Sequence, residues 1–239
     1  MPIIAFIFPG QGSQYVGMGK DICQNYEAAA AVFERADQLL GYSISGLCFN
    51  GPEDRLKDTR NSQPGILTTS VALLQVLTGD GVKPDFVAGH SLGEYSALVA
   101  AKAITFDESL RLIKRRAQLM AEADPGQRGG MAAVLGLDRE TLADCLKMVS
   151  QVEAANYNCP GQIVVSGAKE GIARLAELVN QKGGKFIPLP VSGAFHSSFM
   201  KQAAEAFQND LAETAWQKPS IPLIANVSAR PALEDKLAG

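Results

Sequence analysis

Phe86-Val87-Ala88-Gly89-His90-Ser91-Leu92-Gly93-Glu94-Tyr95 passes from a short apolar run into a helical pattern that continues to Ala103. This reading sets Ser91 on the turn between a strand over 86–88 and a helix over 92–103. A serine on such a turn holds its hydroxyl clear of the packed faces. The helix N-terminus behind it offers unpaired N–H groups and the positive end of a dipole. Gly89 and Gly93 leave room for a tight backbone and for close approach of helix to strand. G-x-S-x-G also occurs in ordinary glycine-flanked turns, so the strand before it and the helix after it are what single out Ser91 as a nucleophile.

Outward from this turn, strands and helices alternate: a strand over 3–8, a helix over 17–40, a helix from Pro64 to Leu77, then the strand and helix around Ser91. Alternation of this kind predicts a parallel sheet covered by helices on both faces. From Met131 the rhythm changes to strand 131–137, helix 139–149, strands 152–157 and 162–166, helix 171–181 and strand 185–189. That βαββαβ order is the ferredoxin-like unit. Asp124-Pro125-Gly126-Gln127-Arg128-Gly129-Gly130 reads as the linker into it, and a helix over 199–214 and a strand over 223–226 return to the first domain. The expected division is a large α/β domain over 1–126 and 191–239 and a small domain over 127–190.

The 239 residues are 46% hydrophobic and 20% charged with a net charge of −3, enough to bury one large core and a smaller second one. The mildly acidic balance argues against nucleic acid as a partner. The run at 3–8 is short, lacks a basic leader and ends at Pro9-Gly10, so it reads as a buried strand rather than a signal peptide. No stretch is long enough to span a membrane. Cys23, Cys48, Cys145 and Cys159 show no metal-ligand spacing and read as reduced thiols. The expectation is a cytoplasmic enzyme acting as a monomer.

A nucleophilic serine needs a base, and the chain has two histidines, His90 and His196. His90 shares the turn with Ser91 and leaves it in another direction, which suits packing beneath the turn. His196 lies in Ser192-Gly193-Ala194-Phe195-His196-Ser197, a loop between a strand and a helix, where catalytic groups are commonly presented. It is therefore the expected base.

Thr105-x-x-Glu108 is a capping box that opens a further helix. On this helix Arg116 has Leu112, Ile113, Leu119 and Met120 three and four positions away, so it faces the apolar side without a local carboxylate. Its guanidinium needs an anion. Two sources stand open: a distant Asp or Glu, with the stem reaching toward water, or the carboxylate of a ligand gripped by its planar fork. The neighbouring Arg111, Lys114 and Arg115 form a wet basic face, read either as solvated surface or as a docking site for an acidic partner.

The strand over 3–8 ends in Pro9-Gly10-Gln11-Gly12-Ser13-Gln14. Tyr15 breaks the G-x-G-x-x-G dinucleotide fingerprint. The loop reads instead as one arm of an oxyanion hole, with the N–H groups of Gln11 and of Leu92 as its donors.

Taken together, Phe8 to Gln14, Gln63-Pro64, Gly89 to Tyr95, Arg116, Asn156-Tyr157-Asn158-Cys159-Pro160-Gly161-Gln162 and Ala194-Phe195-His196 resemble the malonyl-CoA:acyl carrier protein transacylases and the related acyltransferases of polyketide synthases. The motifs occur in family order and span nearly the whole chain. The resemblance implies an α/β-hydrolase-like large domain with an inserted ferredoxin-like domain. It implies Ser91 as the acylated nucleophile, His196 as its base, Gln11 and Leu92 as oxyanion donors and Arg116 as the clamp on a malonyl carboxylate. Gln63, Asn156 and Asn158 fall among the substrate-binding positions, and Phe195 matches the phenylalanine of polyketide acyltransferases that choose malonyl. It further implies that a stretch after the one resembling 221–227 supplies the carbonyl that orients the histidine.

The activity so implied moves a malonyl group from coenzyme A to the phosphopantetheine thiol of an acyl carrier protein, with no permanently bound cofactor and no metal. Two alternatives are, within enzymes, an acyl hydrolase on the same scaffold and, from another class, a non-catalytic module that binds acyl carriers. The assignment requires Ser91, His196 and Arg116 to converge on one crevice.

Overall fold

The structure, a computed structural model, describes residues 2–191 and 193–232. Those parts of the sequence reading that fall on Ser192 and on 233–239 lie outside the described residues. In chain order the elements are β1 (Ala5–Phe8), α1 (Lys20–Asn25), α2 (Glu27–Leu40), α3 (Ile44–Asn50), α4 (Glu53–Lys57), α5 (Thr59–Gly79), β2 (Phe86–Gly89), α6 (Gly93–Ala100) and α7 (Phe106–Glu122). There follow β3 (Gly129–Leu135), α8 (Arg139–Lys147), β4 (Val152–Cys159), β5 (Gln162–Ala168), α9 (Lys169–Gln181), β6 (Lys185–Pro188), α10 (Lys201–Ala212), β7 (Leu223–Ala225) and β8 (Arg230–Pro231). They form two compact units, Met1–Gln118 with Asn209–Gly239, and Leu119–Gln208.

In the first unit the sheet runs β1-β2-β7-β8, parallel across the first three strands, with β8 antiparallel to β7. Helix α2 buries Ala29, Phe33, Ala36 and Leu40, a stripe at three- and four-residue spacing, and ends at Gly41 with φ 77. That stripe meets Leu67 and Val71 of α5, Leu92, and Leu110 and Ile113 of α7 in one core. Helix α5 is buried on every side at Ser62, Gln63, Pro64, Gly65, Ile66 and Leu67, as befits a helix enclosed by others.

Several sequence expectations change here. The helix expected over 17–40 begins only at Lys20, because Gly17 and Gly19 sit at φ 101 and 77, and it breaks at Tyr26, whose extended backbone lets its carbonyl accept the N–H groups of Ala29 and Ala30. The next helix starts at Thr59 rather than after Pro64: the Asp58 carboxylate accepts the Arg60 N–H at 2.9 Å and caps it. Strand β1 is not buried throughout. Phe8 is 7% exposed but Ile7 is 76% exposed, lining an apolar groove with Leu73 and Leu77.

The second unit is the βαββαβ sheet read from the sequence, in order β4-β5-β3-β6 with every neighbouring pair antiparallel. One face carries Ala132, Val134, Ile163 and Val165 against Leu142 of α8 and Leu175 and Val179 of α9. The other face carries Met131, Ala133 and Val164 around Phe195, with Met120, Leu189, Val191 and Met200 packed against them. This second cluster explains why the unit extends beyond the expected 127–190. Segments on both sides of the βαββαβ core pack on the sheet face that lacks helices, so the divisions fall within α7 and within α10.

Candidate active site

Gly89 and Gly93 dictate the turn at Ser91. A Cβ on Gly89 would stand 2.0 Å from the Gly93 carbonyl carbon, and one on Gly93 would stand 2.3 Å from the Phe8 oxygen. Neither position accepts a side chain, so helix α6 starts in backbone contact with the strand ends. Ser91 itself has φ 53, a left-handed conformation that a non-glycine residue adopts only when its surroundings hold it there. His90 leaves the turn as expected, but to the exposed side. Its ring lies where a Cβ on Gly10 would fall, 2.7 Å from Nδ1, so it packs on the loop after β1 rather than beneath the turn.

The backbone donors around Ser91 are nearly all committed. Gly93 N–H bonds the His90 oxygen, Glu94 N–H the Ser91 oxygen, Tyr95 N–H the Leu92 oxygen, and Ser91 N–H the Asn226 Oδ1 at 2.8 Å. Leu92 N–H, at the start of α6, has no acceptor among the described residues. In the loop after β1, Ser13 N–H and Oγ both bond the Gly10 oxygen and Gly12 N–H bonds Gln14 Oε1, while Gln11 anchors its side chain on Thr59 Oγ1 at 3.0 Å. The Gln11 N–H likewise has no acceptor among the described residues.

Arg116 comes off α7, whose capping box forms as read: Glu108 N–H bonds Thr105 Oγ1 at 3.2 Å and that hydroxyl donates to Glu108 Oε2 at 2.9 Å. Its guanidinium donates from Nη2 to Ser91 Oγ at 3.0 Å and from Nη1 to Oε1 of the fully buried Gln63 at 2.5 Å. The Tyr95 ring lies 6.0 Å from its Cζ. No carboxylate among the described residues is ion-paired with it; Glu94 acts on it only through space. Burial pulls the Arg116 pKa below its ordinary value, with Tyr95 and Glu94 opposing, and burial raises that of Glu94 against the Asn226 N–H bond and the Arg116 charge.

Its neighbours on α7 are committed elsewhere. Arg111 donates to Thr214 Oγ1 at 3.2 Å and pairs with Asp210, Arg115 pairs with Asp210 at 3.5 Å, and Lys114 bonds the Leu40 oxygen at 3.0 Å. These cations tie α7 to adjacent segments, which favours the structural reading of that face over a carrier dock.

His196, Phe195, Asn156 and Asn158 belong to the second unit. His196 is exposed with φ 58, on a loop where Ser197 Oγ donates to the Ala194 oxygen at 2.7 Å. Phe195 is 5% exposed, a core residue rather than an open wall. Asn156 pairs with Val164 across β4 and β5 and so shares the sheet face that carries Phe195, whereas Asn158 falls at an irregularity between Tyr157 and Cys159 and is exposed. Sequence reasoning missed Asn226 and Thr59. Nothing local marks either; each matters through a partner far away in the chain.

The four cysteines are unpaired, and burial pushes the Cys23 thiol up to about 11 and the Cys48 thiol up to about 12, so neither is a competing nucleophile. Among the described residues no cluster of His, Cys, Asp and Glu could hold a metal, and no helix is long and apolar enough to cross a membrane.

The family model described as the acyl transferase domain matches residues 5–239. A relative named malonyl CoA-acyl carrier protein transacylase from Bacillus subtilis (strain 168) is 47% identical over 234 residues, 96% of this chain and 74% of the relative. One of the same name from Staphylococcus aureus (strain MRSA252) is 44% identical over 95% of this chain and 74% of its own length. Among solved structures, a malonyl-transacylase in complex with its type II polyketide synthase acyl-carrier protein superposes with a TM-score of 0.95 at 37% identity, covering 99% of this chain and 79% of that one. The malonyl CoA-acyl carrier protein transacylase of Coxiella burnetii gives 0.96 at 35% identity, covering 99% and 77%. With its motifs in family order and the match running almost end to end, this chain belongs to the acyl transferase domain family.

Proposed function

We propose that the chain transfers a malonyl group from coenzyme A to the phosphopantetheine thiol of an acyl carrier protein through an ester on Ser91. One observation carries this reading: the Arg116 guanidinium stands 3.0 Å from Ser91 Oγ with no carboxylate among the described residues paired to it. A cation beside a nucleophile, held by neutral Gln63 and backed by Tyr95, is complementary to an acyl group that ends in an anion. The names of the relatives agree with it.

In the first half-reaction His196 takes the Ser91 proton as Oγ attacks the thioester carbonyl. The oxyanion is held by the N–H groups of Leu92 and Gln11, and the proton then passes to the departing coenzyme A sulfur. In the second the carrier thiol gives its proton to His196, attacks the malonyl-serine ester, and Ser91 Oγ recovers the proton on leaving. Arg116 holds the malonyl carboxylate throughout. An acetyl group leaves that guanidinium without an anion, which is how a site built around a polar partner discriminates. Asn156 and Asn158 belong to the substrate side in this scheme, and Phe195 acts by seating the loop that carries His196. Every residue in it comes from one chain, so a monomer suffices.

Ser91→Ala should abolish covalent labelling by radioactive malonyl-CoA. Persistent label on that variant would refute the nucleophile assignment. Comparing thiol transfer with release of free malonate from the labelled wild-type chain separates a transferase from a hydrolase.

A further inference from the structure

Three hydrogen bonds close a ring around the nucleophile. Ser91 N–H donates to Asn226 Oδ1 at 2.8 Å, Asn226 N–H donates to Glu94 Oε1 at 2.8 Å, and Glu94 N–H donates to the Ser91 oxygen at 3.1 Å. Asn226 follows directly on β7, the strand paired to β2, so the ring ties the end of one parallel strand to the turn that leaves its neighbour. More than 130 residues of chain separate its two sides.

We propose that Asn226 is a positioning residue for acyl transfer: its side-chain oxygen holds the Ser91 peptide in its left-handed conformation and, by occupying the serine N–H, leaves Leu92 N–H as the donor of α6 that faces the oxyanion. The argument has three parts. First, Ser91 at φ 53 is a conformation its own side chain disfavours, and the bond to Asn226 is a specific contact that compensates it. Second, the other N–H groups of the turn already have acceptors, so without Asn226 the Ser91 N–H would be a second, misdirected donor beside Leu92. Third, Asn226 is itself anchored through its backbone N–H on Glu94, so the side chain that carries the oxygen springs from a fixed peptide. This rests on Ser91 being the nucleophile.

The test follows coenzyme A release from malonyl-CoA in the first turnover of the full chain, with the ester located on Ser91 by mass spectrometry. Asn226→Leu and Asn226→Ala both remove the acceptor, and each is expected to slow acylation by about 100-fold, the effect of a small misplacement of a reacting group, with the apparent affinity for malonyl-CoA unchanged. Asn226 is exposed, so neither change should move the melting temperature by more than a few degrees. Asn226→Asp keeps an oxygen at the same place and is expected to restore most of the rate, a rescue that a purely structural role does not produce. Acylation at the wild-type rate in both Leu and Ala variants, or an Asp variant as slow as they are, would overturn the proposal while leaving the nucleophile in place. A wild-type chain unlabelled at Ser91 would end both.

Discussion

Arg116 shows how much a single side chain decides. A half-buried guanidinium with no carboxylate paired to it among the described residues is costly, and here it is held by an amide oxygen, a hydroxyl and an aromatic face. None of these neutralises it. In the proposed function the charge stays available beside Ser91, where an arriving malonyl carboxylate would complete the pair. Truncating one member of a buried charge pair costs about 2–5 kcal/mol. Arg116→Ala should therefore lower kcat/KM for malonyl-CoA by at least about 30-fold at the smaller of those values, while acetyl transfer falls far less. Parallel assays with the two thioesters check this, and an equal loss on both would return Arg116 to a structural role. The apolar neighbours of Arg116 along the helix were legible in the sequence. That its fork touches Ser91 and Gln63 was not, since those contacts join residues 25 and 53 positions apart.

At the scale of elements, the helices are positioned by their ends. Asp58 starts α5 and so sets the register that buries Gln63 beneath Arg116. The side chain and backbone N–H of Arg60 hold the Asp58 carboxyl below the usual carboxylate range, against a burial effect that raises it. A carboxyl depressed in the folded state contributes stability above its ordinary titration range and loses it as the pH falls through the folded-state value. Asp58→Asn should therefore be less stable than wild type near neutral pH, by less than about 1 kcal/mol because the pair is partly exposed. The difference should shrink at a pH below the ordinary aspartate range, as the carboxyl is protonated in the folded state too. Urea midpoints of the two proteins at both pH values check it. The sequence pattern sets the start of α5 after Pro64, because proline reads as a helix boundary by itself, whereas the cap six residues earlier is recognised only once the Asp58 carboxylate is seen over the Arg60 N–H.

For the whole molecule, two separate cores support the residues assigned to the reaction. Leu67 is fully buried in the first core, on the helix that carries Gln63 and in one cluster with Leu110 and Ile113 of the helix that carries Arg116, and Leu142 is 1% exposed in the second, under the sheet against which Phe195 packs. Leu67→Ala and Leu142→Ala should each cost about 2–5 kcal/mol, the range for leucine truncation in a packed core. Urea unfolding followed by far-ultraviolet circular dichroism measures both, and a midpoint left unchanged in either variant would show that its core can collapse around the loss. Local pattern determined a good part of this protein: the alternation of elements, the βαββαβ order, the strand-turn-helix at Ser91 with its two glycines, and the apolar setting of Arg116. These are legible because each depends on residues within a turn or two of one another, where backbone geometry alone sets the periodicity. The tertiary structure decided the rest: that β1 exposes Ala5 and Ile7, that the second unit takes up flanking segments to cover its helix-free face, and that Asn226 bonds the serine 135 positions before it. Such contacts are made by strand pairing and packing across the chain, and no spacing along it announces them.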